Sequence, residues 1–183
     1  YTGDWSKYAY ASLHAHNLFA LAGGDMVRDS AMFLFMPYKV WSLIFTLAVL
    51  GFFLYLYLKS GVQNRIFAAA LVLQAGIFMF TSRMHERYLY PAVMLLVMVL
   101  IYSGDRRIFG LLGLLSMTVF INQFAVLFYV TYKDIMPFVV PLFNTSTRIF
   151  SLVNLAAVIY LFLVSRDILL YDRVEPWTDY GRQ

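Results

Sequence analysis

The densest cluster of ionisable side chains lies between two long apolar runs and predicts a binding site for an anionic group. Arg83, His85, Glu86 and Arg87 fall within five positions of a chain that is only 13% charged. Charge beside a membrane span is costly unless it is paired, hydrated or bound to a ligand. On a helix, Arg83 and Arg87 would point the same way because they are four residues apart. Arginine forks suit phosphate oxygens, so we expect an anionic group at the edge of a bilayer, next to Tyr88.

The carboxylate in this cluster has more than one possible role. Glu86 could orient Arg87 or His85, or it could coordinate a divalent cation. The alternative for the whole cluster is a membrane boundary, which snorkelling basic side chains commonly mark. The added histidine and glutamate favour a site. We assign no metal ligands, because the chain has no cysteine and its three histidines cannot close a structural zinc site without carboxylates from distant segments.

A second polar group lies near the N-terminus and comprises His14, His16, Asn17 and Asp25. The two histidines are two residues apart, so they would not share one helix face as a metal clamp requires. The glycines at 23–24 permit a positive φ or a close backbone approach. The alternative is an interfacial loop whose polar groups face water.

Composition predicts an all-α, polytopic membrane helix bundle. The 183 residues are 62% hydrophobic, whereas soluble domains are nearer 45–50%, and the mean hydropathy is +0.71. We expect an extracytoplasmic loop with an interfacial helix over 1–37, a bundle over 38–165 and a polar cytoplasmic tail over 166–183. About five apolar segments are long enough to be transmembrane helices: 40–58, 66–82, 88–102, 108–132 and 149–164.

Five spans fix which loops share a face of the membrane. The N-terminal segment, the His85 cluster and the loop 133–148 lie on one face, and the turns 59–65 and 105–107 lie with the tail on the other. The two short turns carry four basic residues and one acid, which favours the cytoplasm for that face. The candidate site is then extracytoplasmic. We expect a multi-pass protein of a bacterial cytoplasmic membrane rather than of the endoplasmic reticulum, with no nucleic acid partner because no basic stripe is present.

Three segments, taken in order, resemble a known family. They are Tyr-Ala-Ser-Leu-His-Ala-His-Asn-Leu-Phe-Ala-Leu-Ala-Gly-Gly-Asp at 10–25, Tyr-Lys-Val-Trp at 38–41 and Met-His-Glu-Arg-Tyr-Leu-Tyr-Pro at 84–91. Together they resemble the C-terminal half of polytopic membrane glycosyltransferases of the GT-C type. The pattern is similar to the mannosyltransferases that build GPI anchors and to protein O-mannosyltransferases. Recognisable motifs cover residues 8–105.

The resemblance implies a hexosyltransferase that moves a mannose-like sugar from a polyprenyl-phosphate donor to an extracytoplasmic acceptor. It implies a donor-phosphate site and a sugar or acceptor cavity. The donor-phosphate residues would be Arg83, His85, Glu86, Arg87 and Tyr88. The cavity residues would be His14, His16, Asn17 and Asp25.

The family's catalytic acidic residue follows an N-terminal span, so we expect it upstream of Tyr1. Asp4 does not lie in that context, and the catalytic residue therefore stays unassigned. The expected partners are the lipid bilayer, the polyprenyl-phosphate-linked sugar and other membrane subunits. The alternative hypothesis is a non-catalytic integral membrane subunit that packs in a larger complex.

Overall fold

The computed structural model describes residues 8–61 and 66–176, and it confirms the predicted helical membrane bundle. Within those residues, four helical segments are long and apolar enough to cross a membrane, and the helix Ile66–Phe80 is apolar but shorter. The chain is therefore an integral membrane protein. The four segments are Tyr38–Lys59, Glu86–Ser103, Arg106–Tyr132 and Val139–Tyr171.

Short elements precede the long helices. The order is α1 (Leu18–Leu21), β1 (Met32–Phe33), β2 (Met36–Pro37), α2 (Tyr38–Lys59), α3 (Ile66–Phe80), α4 (Tyr90–Ser103), α5 (Arg106–Tyr132) and α6 (Val139–Tyr171). A 3-10 turn, Glu86–Leu89, leads directly into α4. The strands form a small antiparallel hairpin.

Local sequence explains where several helices begin and end. The side chain of Asn17 accepts a hydrogen bond from the backbone N–H of Ala20 (3.0 Å) and so caps α1. Pro91 lies in the first turn of α4, where a missing N–H costs nothing. Gly104 ends α4 with φ 61°, and Asp105 caps α5 by accepting from the N–H of Arg107 (2.8 Å).

The short helix α3 packs against α2, α4 and α6, and it supplies much of the buried core. The helices approach closely at Gly76. A Cβ atom there would lie 2.6 Å from Cγ1 of Val49 in α2 and 3.0 Å from Cζ of Phe162 in α6. Small residues allow such close helix contacts in membrane proteins. Helix α3 ends at Phe80, two residues before the predicted end of the span 66–82.

The prediction of a loop through Arg148 and a last span over 149–164 is wrong. Helix α6 already begins at Val139 and continues to Tyr171, into the stretch predicted to be the tail. Pro141 does not break it, since Pro141 lies in the first helical turn, where a backbone N–H would have no intrahelical acceptor and its absence costs little. At the other end, Asp167 stays helical and lies 3.3 Å from the guanidinium of Arg107.

The loops group at the two ends of the bundle as the sequence predicts. At one end, the N–H of Leu13 donates to the carbonyl of Met84 (3.0 Å). At the other, the N–H of Arg106 donates to the carbonyl of Glu175 (2.8 Å). Asp4, the turn residues 62–65 and the tail residues 177–183 lie outside the described residues.

Candidate functional site

The N-terminal loop is held inside the helix bundle by two amides. In the orientation that pairs both of its amide atoms, Asn122 of α5 donates to the carbonyl of His14 (2.9 Å) and accepts from the N–H of His16 (3.1 Å). Asn154 of α6 donates to the carbonyl of His16 (2.9 Å). Irregular backbone is tolerated between membrane helices only where its polar groups are satisfied by protein or water. The segment expected at the membrane surface therefore enters the bundle and is fixed there.

His14 and Asp25 form a tight pair within this loop. Nδ1 of His14 lies 2.8 Å from Oδ2 of Asp25, and the backbone N–H of His14 donates to Oδ1 of the same carboxylate (2.7 Å). His14 has φ 57°, in the left-handed region, which a non-glycine residue adopts only at a cost. The predicted glycine roles are confirmed next to this pair. Gly23 has φ 82°, and a Cβ on Gly24 would lie 2.9 Å from the carbonyl oxygen of Phe19.

The pair opens onto a cavity of about 280 Å³ between the loop and the ends of α5 and α6. The loop side of the wall includes both His14 and Asp25. The helix side comprises Tyr129, Phe143, Asn144, Thr147 and Arg148. Polar side chains are thus concentrated in one concavity of an otherwise apolar bundle, which is the usual character of a binding site.

His16 and Asn17, which we expected to line the same cavity, are instead fully buried. The ring of His16 stacks on Phe150 with centroids 5.8 Å apart. Burial lowers the pKa of His16 to about 4, against the attraction of Asp25, so His16 is neutral at physiological pH. Asn17 caps α1 and donates to the carbonyl of Thr81 (3.4 Å). Both residues support the loop and leave the cavity wall to His14 and Asp25.

The prediction that Arg83 and Arg87 point the same way on a helix is wrong. Arg83 has φ 62°, and the helical turn begins only at Glu86. The Nε and Nη2 atoms of Arg83 instead lie 2.8 and 2.7 Å from Oδ2 of Asp29, whose side chain is 6% exposed. A buried carboxylate needs a compensating charge, so Arg83 serves the fold through this ion pair.

His85 lies at the junction between the two predicted groups. Its backbone is bridged to Leu13 and His14, and its ring contacts the edges of Tyr8 and Tyr88 at 5.6 and 5.3 Å. Burial lowers the pKa of His85, although Glu86, whose Oε2 lies 3.7 Å from its Nδ1, acts in the opposite direction. The imidazole is therefore neutral at pH 7 and able both to donate and to accept a hydrogen bond.

Arg87 and Tyr88 are exposed at the start of the span Glu86–Ser103. Tyr88 is 42% exposed. Within residues 8–61 and 66–176, no carboxylate lies within ion-pair distance of Arg87. Among the described residues, the guanidinium of Arg87 thus has no carboxylate partner, whereas that of Arg83 is paired with Asp29.

The divalent cation that Glu86 could coordinate has no matching ligand set in the part of the chain that the structure describes. No group of three or more histidine or carboxylate side chains is arranged there to hold a metal ion. Glu86 and His85 are close to each other, but two donors of this kind do not form a metal site.

No protein-family model, no curated protein and no solved structure matches this chain. The functional interpretation therefore depends on the site's own geometry and on the sequence resemblance described above.

Sequence reasoning missed the helix side of the cavity. Asn144, Thr147 and Arg148 were placed in a loop, although their spacing of three and four residues is that of one helix face. Tyr129 carried no sequence signal, because it is one of 14 tyrosines in an aromatic-rich chain. The helical spacing of the polar residues was the signal that could have identified this wall.

Proposed function

We propose that this chain is the membrane portion of a glycosyltransferase that moves a mannose-like hexose from a polyprenyl-phosphate donor to an acceptor. The observation that carries the proposal is the junction of two sites. The His85 segment, with its exposed Arg87, is joined through backbone contacts to the loop that presents His14 and Asp25 to the cavity. A lipid-linked sugar needs this combination, because its phosphate and its sugar are adjacent.

Arg87 is the candidate ligand for the donor phosphate. It is exposed where a membrane span begins, which is the depth at which a lipid phosphate lies. A guanidinium offers paired N–H donors to phosphate oxygens. As the glycosidic bond breaks, negative charge builds on the departing phosphate, and a positioned cation lowers the energy of that state. The neutral imidazole of His85 could donate a further hydrogen bond.

The cavity supports the sugar or acceptor part of the proposal. Sugar hydroxyls require both donors and acceptors, and the wall supplies an imidazole, a carboxylate, an amide, a hydroxyl and a guanidinium. These groups come from His14, Asp25, Asn144, Thr147 and Arg148. A volume of about 280 Å³ is near the lower limit of small-molecule pockets, as expected for one sugar ring.

The proposed location is the extracytoplasmic face of a bacterial cytoplasmic membrane. The opposite end of the bundle carries Arg106 and Arg107 at the start of α5, directly after the short connection from α4. Short basic turns favour the cytoplasm. The cavity and the His85 segment lie at the other end, where lipid-linked sugars are used by the family that the sequence resembles.

The proposal is tested by measuring donor binding to the intact protein in lipid nanodiscs. The probe is a polyprenyl-phosphate-mannose, with the neutral polyprenol as comparison. The variant Arg87→Gln should weaken donor binding by about 10- to 100-fold, since a hydrogen-bonded charge contributes about 1.5–3 kcal/mol.

Arg106→Gln is the matched control. Arg106 is exposed and pairs with Glu175 at the opposite end, so its loss should leave binding unchanged. Equal affinity of the wild type for the donor and the neutral polyprenol would overturn the proposal. So would equal affinity of Arg87→Gln and the wild type for the donor.

A further inference from the structure

We infer that His14, oriented by Asp25, is the proton acceptor for the incoming hydroxyl group in the cavity. The inference rests on the proposed function and assigns a chemical role within the same site. The resemblance leads us to expect a catalytic acidic residue upstream of Tyr1, whereas this inference gives the role of proton acceptor to His14.

The carboxylate of Asp25 fixes both the ring and the backbone of His14. Its Oδ2 lies 2.8 Å from Nδ1 of the ring, and its Oδ1 accepts from the backbone N–H of His14 (2.7 Å). A carboxylate at Nδ1 favours the tautomer with a proton on Nδ1. Nε2 then carries the lone pair and is the ring nitrogen left to accept a proton. The carboxylate also stabilises the imidazolium that forms.

Several contacts fix the position of the His14 ring. Tyr129 and Phe143 contact it edge-on with centroids 5.5 and 5.3 Å away. Asn122 holds the carbonyl oxygen of the same residue. The left-handed φ of 57° at His14 is maintained against its conformational cost by these contacts. Strained residues that are so firmly held occur preferentially at functional sites.

The cavity also offers a group that could hold the incoming hydroxyl. Arg148 of α6 lines the same cavity as His14. A guanidinium donates several hydrogen bonds and would hold the oxygen of an acceptor hydroxyl. Thr147 borders the same wall, but its hydroxyl oxygen is buried and has no hydrogen-bond partner among the residues that the structure describes. An acceptor hydroxyl held by Arg148 would lie in the same cavity as His14.

The proposed step balances as follows. The acceptor hydroxyl oxygen attacks the anomeric carbon of the sugar and forms the new glycosidic bond. The bond from that carbon to the phosphate oxygen breaks, and its electron pair leaves with the polyprenyl phosphate. The hydroxyl proton moves to Nε2 of His14 and later passes to water.

The test is a single-turnover transfer assay on the intact protein with polyprenyl-phosphate-mannose, together with donor binding and a pH profile. His14→Gln should lower the transfer rate by about 100- to 10,000-fold, the usual contribution of a general base. Donor binding should fall far less than the transfer rate, and the retained binding also shows that the variant is folded.

Asp25 acts by positioning His14. Its variants are therefore tested by measurements that a general loss of structure would not explain. Asp25→Asn should lower the transfer rate far more than it lowers the affinity for the donor. Asp25→Glu should restore part of the rate. The other ionisable groups near His14 are Tyr129 of α5, Arg148 of α6 and His85, and all three are unchanged in these variants.

The outcomes separate the two proposals. A wild-type protein that binds no donor and transfers no sugar overturns the proposed function and this inference together. A wild-type protein that transfers sugar, with a His14→Gln variant that retains the rate and the pH profile, overturns the inference alone. A lowered rate in His14→Gln with intact donor binding supports it.

Discussion

The side chain of Asn154, near the middle of α6, donates a hydrogen bond to the carbonyl oxygen of His16, 138 residues earlier in the chain (2.9 Å). This contact and the pair of hydrogen bonds from Asn122 secure the N-terminal loop between α5 and α6. The position of His14 in the cavity depends on that loop. The side-chain amides of Asn122 and Asn154 therefore hold the loop that carries His14.

The two amides should differ in their contribution to stability. Asn122→Leu leaves two backbone groups of the loop without partners, and each such group costs about 1–3 kcal/mol. Asn154→Leu leaves one, and it also removes an amide oxygen that has no partner within the described residues. We expect Asn122→Leu to lower the unfolding temperature in detergent more than Asn154→Leu does. An equal or larger effect of Asn154→Leu would contradict this role of Asn122.

Arg83 should act on stability rather than on donor binding. Arg83→Gln removes the partner of Asp29, whose side chain is 6% exposed, whereas Arg87→Gln breaks no ion pair described here. We expect a lower free energy of unfolding for Arg83→Gln and little change for Arg87→Gln. In a double-mutant cycle with Asp29→Asn, the coupling energy should be about 0.5–3 kcal/mol. A coupling energy near zero would show that the ion pair is not formed in the protein.

The fold class and the grouping of the loops follow from simple sequence rules. Long apolar runs separated by short polar turns predict helices that cross a bilayer, and the alternation of their directions fixes which loops meet. This reasoning placed His14 and Asp25 at the same end as His85, and the backbone contact between Leu13 and Met84 shows that they do meet.

Other features depend on contacts that no local pattern encodes. The hydrogen bond between Asn154 and His16 joins segments that are far apart in the chain. The sequence around Asn154 therefore does not predict which residue its amide contacts. The shared direction expected for Arg83 and Arg87 is wrong because helical spacing does not hold across a position with φ 62°. The start of α6 at Val139 was not predicted, although a proline in the first turn, such as Pro141, is compatible with a helix.

The opposite end of the bundle should be sensitive to acid through Asp105. Burial raises the pKa of Asp105, but hydrogen bonds from the side chain and N–H of Arg107 and from the N–H of Glu175 lower it more, so the pKa lies below the ordinary value. The folded state then binds this proton less readily than the unfolded state. Its stabilising effect is complete above the ordinary carboxyl pKa of about 3.9 and is lost as the pH falls through the lower folded value.

The measurement for Asp105 is the unfolding temperature of the wild type and of Asp105→Asn between pH 7 and pH 3. The wild type should be more stable at pH 7, and the difference should shrink toward pH 3. A difference that stays constant across this range would mean that the charge of Asp105 does not stabilise the fold.

Sidedness can be measured directly because the chain has no cysteine. Single cysteines can therefore be introduced at Met32, which is 64% exposed at the end of the bundle with the cavity, and at Arg106, at the other end. In intact bacteria, a membrane-impermeant maleimide should label Met32→Cys and should label Arg106→Cys only after permeabilisation. The reverse pattern would place the cavity on the cytoplasmic face.

The most direct measurement of the central claim is transfer of labelled mannose from polyprenyl phosphate by the intact purified protein in lipid vesicles. We expect release of polyprenyl phosphate with an inverted glycosidic product. The rate should fall in Arg87→Gln and stay unchanged in Arg106→Gln. Absence of transfer and of donor binding in the wild type, with fixed-stoichiometry co-purification of other membrane proteins, would contradict the account and favour a non-catalytic membrane subunit.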